Sequence, residues 1–171
     1  MRIISLDPGT ATTGFAILDV ENQKTSPILH EANTFLTPSD MDPHNRLEIL
    51  YDLLSKKIVE KKPDIIVLEK LFFNTNVKTA ISVGQARGVM LLCASQLKLQ
   101  VFEYTALQAK LVLTGYGRSN KKEMQEAVKN YFQLEKVIKP DDASDAVAIG
   151  LCYIHKEIYL EDKKYANQPK D

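Results

Sequence analysis

The stretch Arg2-Ile3-Ile4-Ser5-Leu6-Asp7-Pro8-Gly9 decides how the fold of this 171-residue chain is interpreted. Its apolar part, Ile3 to Asp7, predicts a buried strand that ends at a carboxylate and opens into a Pro8-Gly9 turn. A carboxylate at the end of a buried strand costs free energy unless another group offsets its charge. The stretch therefore predicts the first strand of a sheet and the first member of a charged site.

Working outward, the pattern predicts three strands followed by alternating helices and strands. Short connections between the first three strands favour antiparallel pairing. The predicted strands are Ile3–Asp7, Thr13–Val20, Pro27–Leu36, Ile65–Leu68 and Gln100–Tyr104, and the predicted helices are Asn45–Lys61, Val77–Leu97, Ala106–Leu113, Lys121–Phe132 and Asp142–Ile158. We therefore expect an α/β fold with a five-stranded mixed sheet and helices on both faces.

The composition limits the function classes. Apolar residues make up 44% of the chain and charged residues 26%, which is ordinary for a globular protein. The formal net charge is zero, so bulk charge predicts no partner. However, stretches such as Lys70–Phe102 carry lysine and arginine and no acidic residue. Locally basic surfaces beside an acidic site can bind a polyanion.

The sequence contains neither a long apolar run nor a leader pattern, so no membrane span and no signal peptide are expected. Cys93 and Cys152 fall in apolar helical patterns and are interpreted as buried side chains in a reducing compartment. We therefore expect a cytoplasmic protein with one domain over residues 1–160, followed by a flexible tail, Glu161–Asp171.

Three further carboxylates occupy positions comparable to that of Asp7. Glu69 closes the strand Ile65–Leu68, and Asp142 and Asp145 lie one helical turn apart at the start of the last helix. We expect Asp7 and Glu69 on adjacent strands, with the last helix above them. Oxygen ligands without cysteine or clustered histidine favour magnesium or manganese over zinc. Four such groups can hold two Mg²⁺ ions about 3.5–4 Å apart, which supports in-line phosphoryl chemistry.

At these residues the chain resembles the RuvC-type crossover junction endodeoxyribonucleases, from Arg2 to about His155. The matching segments are Asp7-Pro8-Gly9-x-x-x-x-Gly14, Glu69-x-x-Phe72, Gly84-Gln85-Ala86-Arg87-Gly88, Tyr104 with Lys110, Gly115-x-Gly117 with Lys121, and Asp142-Ala143-x-Asp145-Ala146. The resemblance implies a ribonuclease-H-like fold and a homodimer that resolves four-way (Holliday) junctions in DNA recombination and repair. It also implies paired, symmetric, Mg²⁺-dependent nicks that leave 5′-phosphate and 3′-hydroxyl ends. The implied partner is a branch-migration complex of a junction-binding tetramer and a hexameric motor.

The resemblance also implies roles for individual residues. It makes Asp7, Glu69, Asp142 and Asp145 catalytic ligands of two Mg²⁺ ions, with Mn²⁺ able to substitute. The residues expected to contact DNA are Phe72, Phe73, Lys110, Arg118, Lys121 and Lys122. Those expected at the dimer interface are Ala80, Gly84 and Gly88.

Some of these assignments leave alternatives open. Asp141 precedes Asp142 and shares a helix face with Asp145, although the Asp-Ala-x-Asp spacing favours Asp142. Phe72 and Phe73 either pack in the core or stack on bases, and Phe72 is favoured as the outward ring.

The basic residues and the small-residue helix leave further alternatives. Arg118, Lys121 and Lys122 are each able to contact phosphate near the start of a helix. The pattern Ala80-x-x-x-Gly84-x-x-x-Gly88 fits either a contact between two subunits or packing against the sheet. Arg87 either binds phosphate or pairs internally.

Three other functions compete with this interpretation. The Asp7–Gly14 turn also resembles the phosphate-binding turn of sugar-kinase, actin and chaperone-type ATPases, which need a second domain that this length does not provide. A ribosomal-RNA-processing nuclease of the same fold is less favoured because of the Phe72 loop and the Gly115–Lys121 segment. A junction-binding scaffold without catalysis is disfavoured, since four carboxylates without metal would repel DNA phosphates.

Overall fold

A mixed sheet of five strands organises the chain. The computed structural model describes residues 1–70 and 77–159. Its strands are β1 (Arg2–Asp7), β2 (Thr12–Asp19), β3 (Ile28–Leu36), β4 (Ile65–Glu69) and β5 (Gln100–Tyr104). Its helices are α1 (Pro43–Lys61), α2 (Val77–Gln96), α3 (Ala106–Thr114), α4 (Lys121–Tyr131) and α5 (Asp141–Tyr153). The strand order is β3-β2-β1-β4-β5. The first three strands pair antiparallel, whereas β4 pairs parallel with both β1 and β5. The predicted mixed sheet is confirmed.

Two apolar layers cover the faces of this sheet. On one face, α1 and α2 contribute buried side chains such as Leu54 and Met90. On the other face, α3 and α4 pack around α5. Residues 143–154 are all buried except Asp145, so α5 is enclosed on every side, as a helix without a polar face must be. Cys93 and Cys152 are buried as predicted.

The end of the last helix differs from the prediction. The apolar pattern predicts one helix over Asp142–Ile158, but the α-helix ends at Tyr153 and a π-helical turn follows over Ile154–Tyr159. The Tyr159 hydroxyl donates a hydrogen bond to the Thr25 carbonyl oxygen at 2.8 Å, which ties this turn to the β2–β3 connection. Hydrophobic periodicity does not distinguish one widened turn from regular α-helix.

Proline accounts for two smaller differences in boundaries. Helix α1 begins at Pro43 rather than at Asn45, because proline fits the first turn of a helix, where its missing N–H is not needed. Strand β3 begins at Ile28 rather than at Pro27, because proline cannot donate to the sheet.

Gly150 sets the distance between α5 and the sheet. A Cβ atom added there would lie 2.4 Å from Leu18 Cδ1 and 2.7 Å from Ser5 Oγ. Both contacts are shorter than van der Waals separation, so a larger residue at this site would force Leu18, Ser5 or α5 to shift in a closely packed core.

We expect Gly150→Ala to lower the free energy of unfolding by about 1–3 kcal/mol, the usual cost of overpacking a core. Val59→Ala is the control, because Val59 is an exposed residue of α1 outside the core. The control should change the free energy of unfolding by less than about 0.5 kcal/mol. Urea denaturation measures both values, and a Gly150→Ala protein as stable as wild type would contradict the close packing of α5.

Candidate active site

Two of the expected carboxylates lie side by side where β1 and β4 end. The two strands run parallel, with Leu6 opposite Leu68. Asp7 and Glu69 therefore extend from the same edge of the sheet. Glu69 raises the pKa of Asp7, because the protonated Asp7 carboxyl can donate a hydrogen bond to it.

Gly14 brings the start of α5 down to that edge. It is the register partner of Asp7 in β1 and β2. A Cβ atom on Gly14 would lie 1.9 Å from the Asp142 backbone oxygen, so the first turn of α5 rests directly on the backbone of β2. The preceding turn is closed by Thr13, whose hydroxyl donates to the Gly9 carbonyl at 2.6 Å. The glycine spacing of the first motif therefore has a direct structural role in placing Asp142 near Asp7.

The four carboxylates share one electrostatic environment. Burial raises the pKa of Asp7 to about 9, aided by the hydrogen bond that its protonated carboxyl can donate to Glu69 and by repulsion from Glu69, Asp145 and Asp142. Burial also raises the pKa of Asp145, which Lys121 opposes and the neighbouring carboxylates reinforce. These side chains come from three separated parts of the chain, as the sequence predicts.

Lys121, the first residue of α4, enters the same site. Its Nζ lies 3.7 Å from Asp145 Oδ2 and 3.3 Å from Asp141 Oδ2. Burial lowers the pKa of Lys121, but attraction by Asp145, Asp141 and Asp142 outweighs it and leaves the pKa raised. Lys110 and Lys121 also line a cavity of about 170 Å³ together with Glu69 and Asp145. Lys110 and Lys121, which are both expected to contact DNA, therefore lie beside the carboxylates.

The hydrogen-bond and ion-pair partners of Asp141 distinguish it from Asp142. Its Oδ1 accepts hydrogen bonds from Gln125 Nε2 at 2.6 Å and from Lys139 Nζ at 2.7 Å. The hydrogen bonds from Lys139, Gln125 and Lys121 lower the pKa of Asp141 to about 2. Asp142, in contrast, is one of the carboxylates that raise the pKa of Asp7. This arrangement favours Asp142 as the member of the site.

Gln125 is a contributor that the sequence reasoning missed. It is 7% exposed and lies on α4 next to the buried residues Met124 and Val128. A polar residue on the apolar face of a helix needs a hydrogen-bond partner, and Asp141 supplies it. A polar residue at an apolar position of the helical pattern was therefore the signal in the sequence that could have identified Gln125. It does not identify Asp141 as the partner.

The remaining expected DNA contacts lie further from the carboxylates or outside the described residues. Arg118, in the turn before α4, and Lys122, in its first turn, are both exposed. Phe72 and Phe73 lie outside the described residues. Arg87 pairs internally, since its guanidinium donates to the Glu103 carboxylate.

The small residues of α2 do not share the face that packs on the sheet. That face is formed by Ala86, Met90, Cys93 and Ala94, which are all buried. Gly88 is exposed, and Ala80 and Gly84 are partly exposed. Packing against the sheet therefore does not explain Gly88, and the contact between subunits remains the interpretation of this pattern.

The carboxylates form a set that suits a hard divalent cation. Across residues 1–70 and 77–159, no three Asp, Glu, His or Cys side chains are already gathered closely enough to hold a metal ion. Asp7 instead interacts with the Glu69 carboxyl group, and Asp145 forms an ion pair with Lys121. The donors Asp7, Glu69, Asp142 and Asp145 are nevertheless all oxygen atoms with mutually repelling charges, which is the chemistry that Mg²⁺ or Mn²⁺ binds.

Comparison with known proteins assigns this arrangement to a family. The family model described as crossover junction endodeoxyribonuclease RuvC matches residues 3–153. The chain belongs to this family. A relative from Alkaliphilus oremlandii with the same description is 44% identical over 161 residues, which cover 94% of this chain and 97% of that protein. Family membership implies a divalent metal cofactor.

Two solved structures support the fold. The Thermus thermophilus RuvC structure superimposes with a TM-score of 0.82 at 23% identity, and covers 96% of this chain and 97% of that one. Thermus thermophilus RuvC in complex with a Holliday junction substrate gives the same TM-score at 24% identity, with 90% and 92% covered. The predicted ribonuclease-H-like fold of the RuvC family is thereby confirmed.

We expect Asp142→Asn to weaken Mn²⁺ binding by more than about a hundredfold, because it removes a direct ligand. Asp141→Asn should cost about tenfold, in line with changes to groups outside the direct ligands. Isothermal titration calorimetry of the DNA-free protein measures both values. Equal losses, or a larger loss for Asp141→Asn, would transfer the ligand role to Asp141.

We also expect the metal-free protein to lose stability as pH rises from the acid range through neutral. The folded state holds a proton on the Asp7–Glu69 pair more tightly than the unfolded state, so folding is favoured below the unfolded pKa and less favoured as pH approaches the raised pKa of Asp7. Asp7→Asn should be more stable than wild type at neutral pH and show a flatter profile. Urea denaturation with chelator between pH 5 and 9 tests this, and parallel profiles for the two proteins would refute it.

Proposed function

We propose that this protein is a crossover junction endodeoxyribonuclease that hydrolyses DNA phosphodiester bonds at four-way (Holliday) junctions, in DNA recombination and repair. The observation that supports the proposal is that Asp7 and Glu69 end adjacent strands and that Asp142 and Asp145 lie near enough to raise the pKa of Asp7, in a chain of the RuvC family. Its curated relatives bear this enzyme name, and a structure of one family member contains a Holliday junction substrate.

The four carboxylates would hold two Mg²⁺ ions, which Mn²⁺ can replace. Such ions, when bound, favour deprotonation of water and stabilise negative charge on the leaving 3′ oxygen. Asp7 and Glu69 are fixed at strand ends, and Asp142 and Asp145 are fixed on the enclosed helix α5. This rigid support would keep the carboxylates oriented to hold the ions for in-line attack by water. The expected products carry 5′-phosphate and 3′-hydroxyl ends.

The basic residues would hold the DNA backbone at the carboxylates. Lys121 lies beside Asp145 and is positioned to donate to an oxygen of a phosphate placed there. Lys110 adds a second positive charge from the wall of the same cavity. The exposed residues Arg118 and Lys122 would contact the backbone further along the strand.

The segment after Glu69 would supply the contact with the centre of the junction. Phe72, with Phe73 beside it, is proposed to stack on or wedge between bases near the crossover, which an aromatic ring can do with any base. This role follows from the family resemblance of the Glu69-x-x-Phe72 motif, and both rings lie outside the described residues.

A homodimer would place two active sites on one junction. The face of α2 opposite the core carries Gly88 between the exposed apolar side chains Ile81 and Leu92. A helix with small and apolar residues on its free face suits a symmetric contact with a second copy, in which Ala80, Gly84 and Gly88 allow close approach. Two symmetric sites match the requirement for paired nicks.

The remaining parts of the proposal concern the cellular setting. A branch-migration complex of a junction-binding tetramer and a hexameric motor is the proposed partner. The proposed location is the cytoplasm, and the proposed nuclease domain covers residues 1–160. The expected tail, Glu161–Asp171, lies outside the described residues. In the part of the chain that the structure describes, none of the helices is long and apolar enough to cross a membrane.

The decisive experiment is cleavage of a synthetic four-way junction beside linear duplex and an RNA hairpin, with Mg²⁺ or with chelator. We expect paired symmetric nicks in the junction alone, lost with chelator. Asp7→Asn should lower the cutting rate by at least roughly a thousandfold, since it removes charge at the centre of the site, while junction binding is retained.

Four outcomes would contradict this proposal. Tight junction binding without nicks under any divalent metal would indicate a scaffold, and cutting of the RNA alone would indicate a processing nuclease. Single rather than paired nicks would contradict the dimer. Loss of junction binding in a folded Asp7→Asn protein would assign the carboxylates a different role.

A further inference from the structure

Three exposed apolar side chains form a ridge along α3 and the turn that follows it. Leu107 and Leu111 lie one helical turn apart and are 58% and 54% exposed, and Tyr116 is 60% exposed. The turn packs back on the helix, because a Cβ on Gly117 would lie 3.3 Å from Leu107 Cγ. Single exposed apolar residues are ordinary, but neighbouring ones mark a contact surface. We call Leu107, Leu111 and Tyr116 the α3 ridge.

The backbone that carries Tyr116 is held by hydrogen bonds. The Ser119 amide and hydroxyl both donate to the Tyr116 carbonyl, at 3.1 and 2.8 Å. The Tyr116 amide donates to Thr114 Oγ1 at 3.2 Å. Gly115 ends α3 with a φ of 74°, the left-handed conformation that starts the turn. The exposed ring thus stands on an ordered support, which limits the conformational entropy lost when it binds a ligand.

The charges beside the α3 ridge favour a nucleic acid as the ligand. Lys110 lies on α3 between the two leucines in sequence, and the exposed Arg118 and Lys122 follow Tyr116. Two acidic residues of α4, Glu123 and Glu126, line the same groove as Tyr116. The Glu123 carboxylate accepts the Asn120 backbone amide at 2.8 Å, and the Glu126 carboxylate lies 3.4 Å from Lys129 Nζ. An exposed aromatic ring among basic side chains is the composition that binds single-stranded or splayed bases.

The α3 ridge also lies close to the carboxylates. The hydrogen bond from the Ser119 amide to the Tyr116 carbonyl closes a turn, which keeps these two Cα atoms within about 7 Å. Two further residues lead to Lys121, so the Cα atoms of Tyr116 and Lys121 are at most about 15 Å apart. Lys121 itself contacts Asp145. Since a DNA strand advances roughly 3.4 Å per nucleotide, Tyr116 is within a few nucleotides of a bond held at the carboxylates.

We propose that Tyr116 stacks on a base exposed near the crossover, as an aromatic contact separate from Phe72, with Leu107 and Leu111 packing beside it. This inference rests on the proposed function, which supplies junction DNA as the ligand. It assigns the Gly115-Tyr116-Gly117 turn a direct contact with bases.

Equilibrium binding of a four-way junction to an Asp7→Asn protein at several salt concentrations tests the proposal without cleavage. Adding Tyr116→Ala should weaken binding roughly tenfold at every salt concentration, because stacking does not release counterions. Tyr116→Phe should keep the affinity of the parent, whereas Tyr116→Leu should lose nearly as much as alanine. Lys110→Ala is the electrostatic comparison. It should reduce the slope of log affinity against log salt concentration by about one, which corresponds to one counterion fewer released on binding. Val59→Ala, an exposed apolar change on α1 on the opposite face of the sheet, should change neither quantity.

A junction with 5-iododeoxyuridine near the crossover supplies a second measurement. Irradiation should attach the labelled strand to the peptide that contains Tyr116, and mass spectrometry identifies the residue. Unchanged affinity of Tyr116→Ala for the junction at all salt concentrations would overturn the proposal. The α3 ridge would then be a candidate contact with another protein. Equal junction affinities of the Tyr116→Leu and Tyr116→Phe proteins would indicate general apolar packing instead of stacking. A parent protein that does not prefer the junction over duplex would instead refute the proposed function.

Discussion

Mutual repulsion among carboxylates at the end of β1 and β4 is the constraint on which the rest of the molecule depends. Burial and the charges of Glu69, Asp145 and Asp142 raise the pKa of Asp7 far above its ordinary value. The carboxylates cannot relieve this repulsion by moving apart. Asp142 and Asp145 belong to a helix that is enclosed by the sheet, α3 and α4, and its first turn rests on the backbone of Gly14. The apolar core thus holds the charges together, and a bound cation relieves an electrostatic cost that the fold imposes.

The sequence signals that select Asp7 and Glu69 are local. A carboxylate that directly follows a buried strand is unusual wherever the strand lies, so Asp7 and Glu69 could be chosen before any tertiary contact was known. Their adjacency followed from the strand pattern, and the register of β1 and β4 confirms it. The pairing of Lys121 with Asp141 and Asp145 could not be predicted in the same way. It depends on how α4 packs against α5, which is fixed by long-range contacts of residues such as Met124 and Val128.

Helix α2 shows the same limit on prediction. Its small residues at every fourth position fit two partners equally well in the sequence, because periodicity reveals a face but not what covers it. In the structure Gly88 is exposed, since the helix uses Ala86 and Met90 to contact the sheet. Arg87 was equally ambiguous, and its pairing with Glu103 on β5 required the placement of α2 over that strand. In both cases the missing information was the rotation of a helix about its own axis.

The neighbours Asp141 and Asp142 show that position, rather than residue type, separates two roles. Asp141 accepts hydrogen bonds from Gln125 and Lys139 and lies 3.3 Å from the Lys121 amine. It therefore gives Lys121 a second acidic partner next to Asp145. A lysine that depended on Asp145 alone would lose its partner when that carboxylate bound a cation, and repulsion would drive its charge away. With Asp141 held in place by Gln125, the amine can remain at the edge of the site, where a DNA phosphate would meet it. The second aspartate thus keeps positive charge available beside the proposed metal site in a chain that has no net charge.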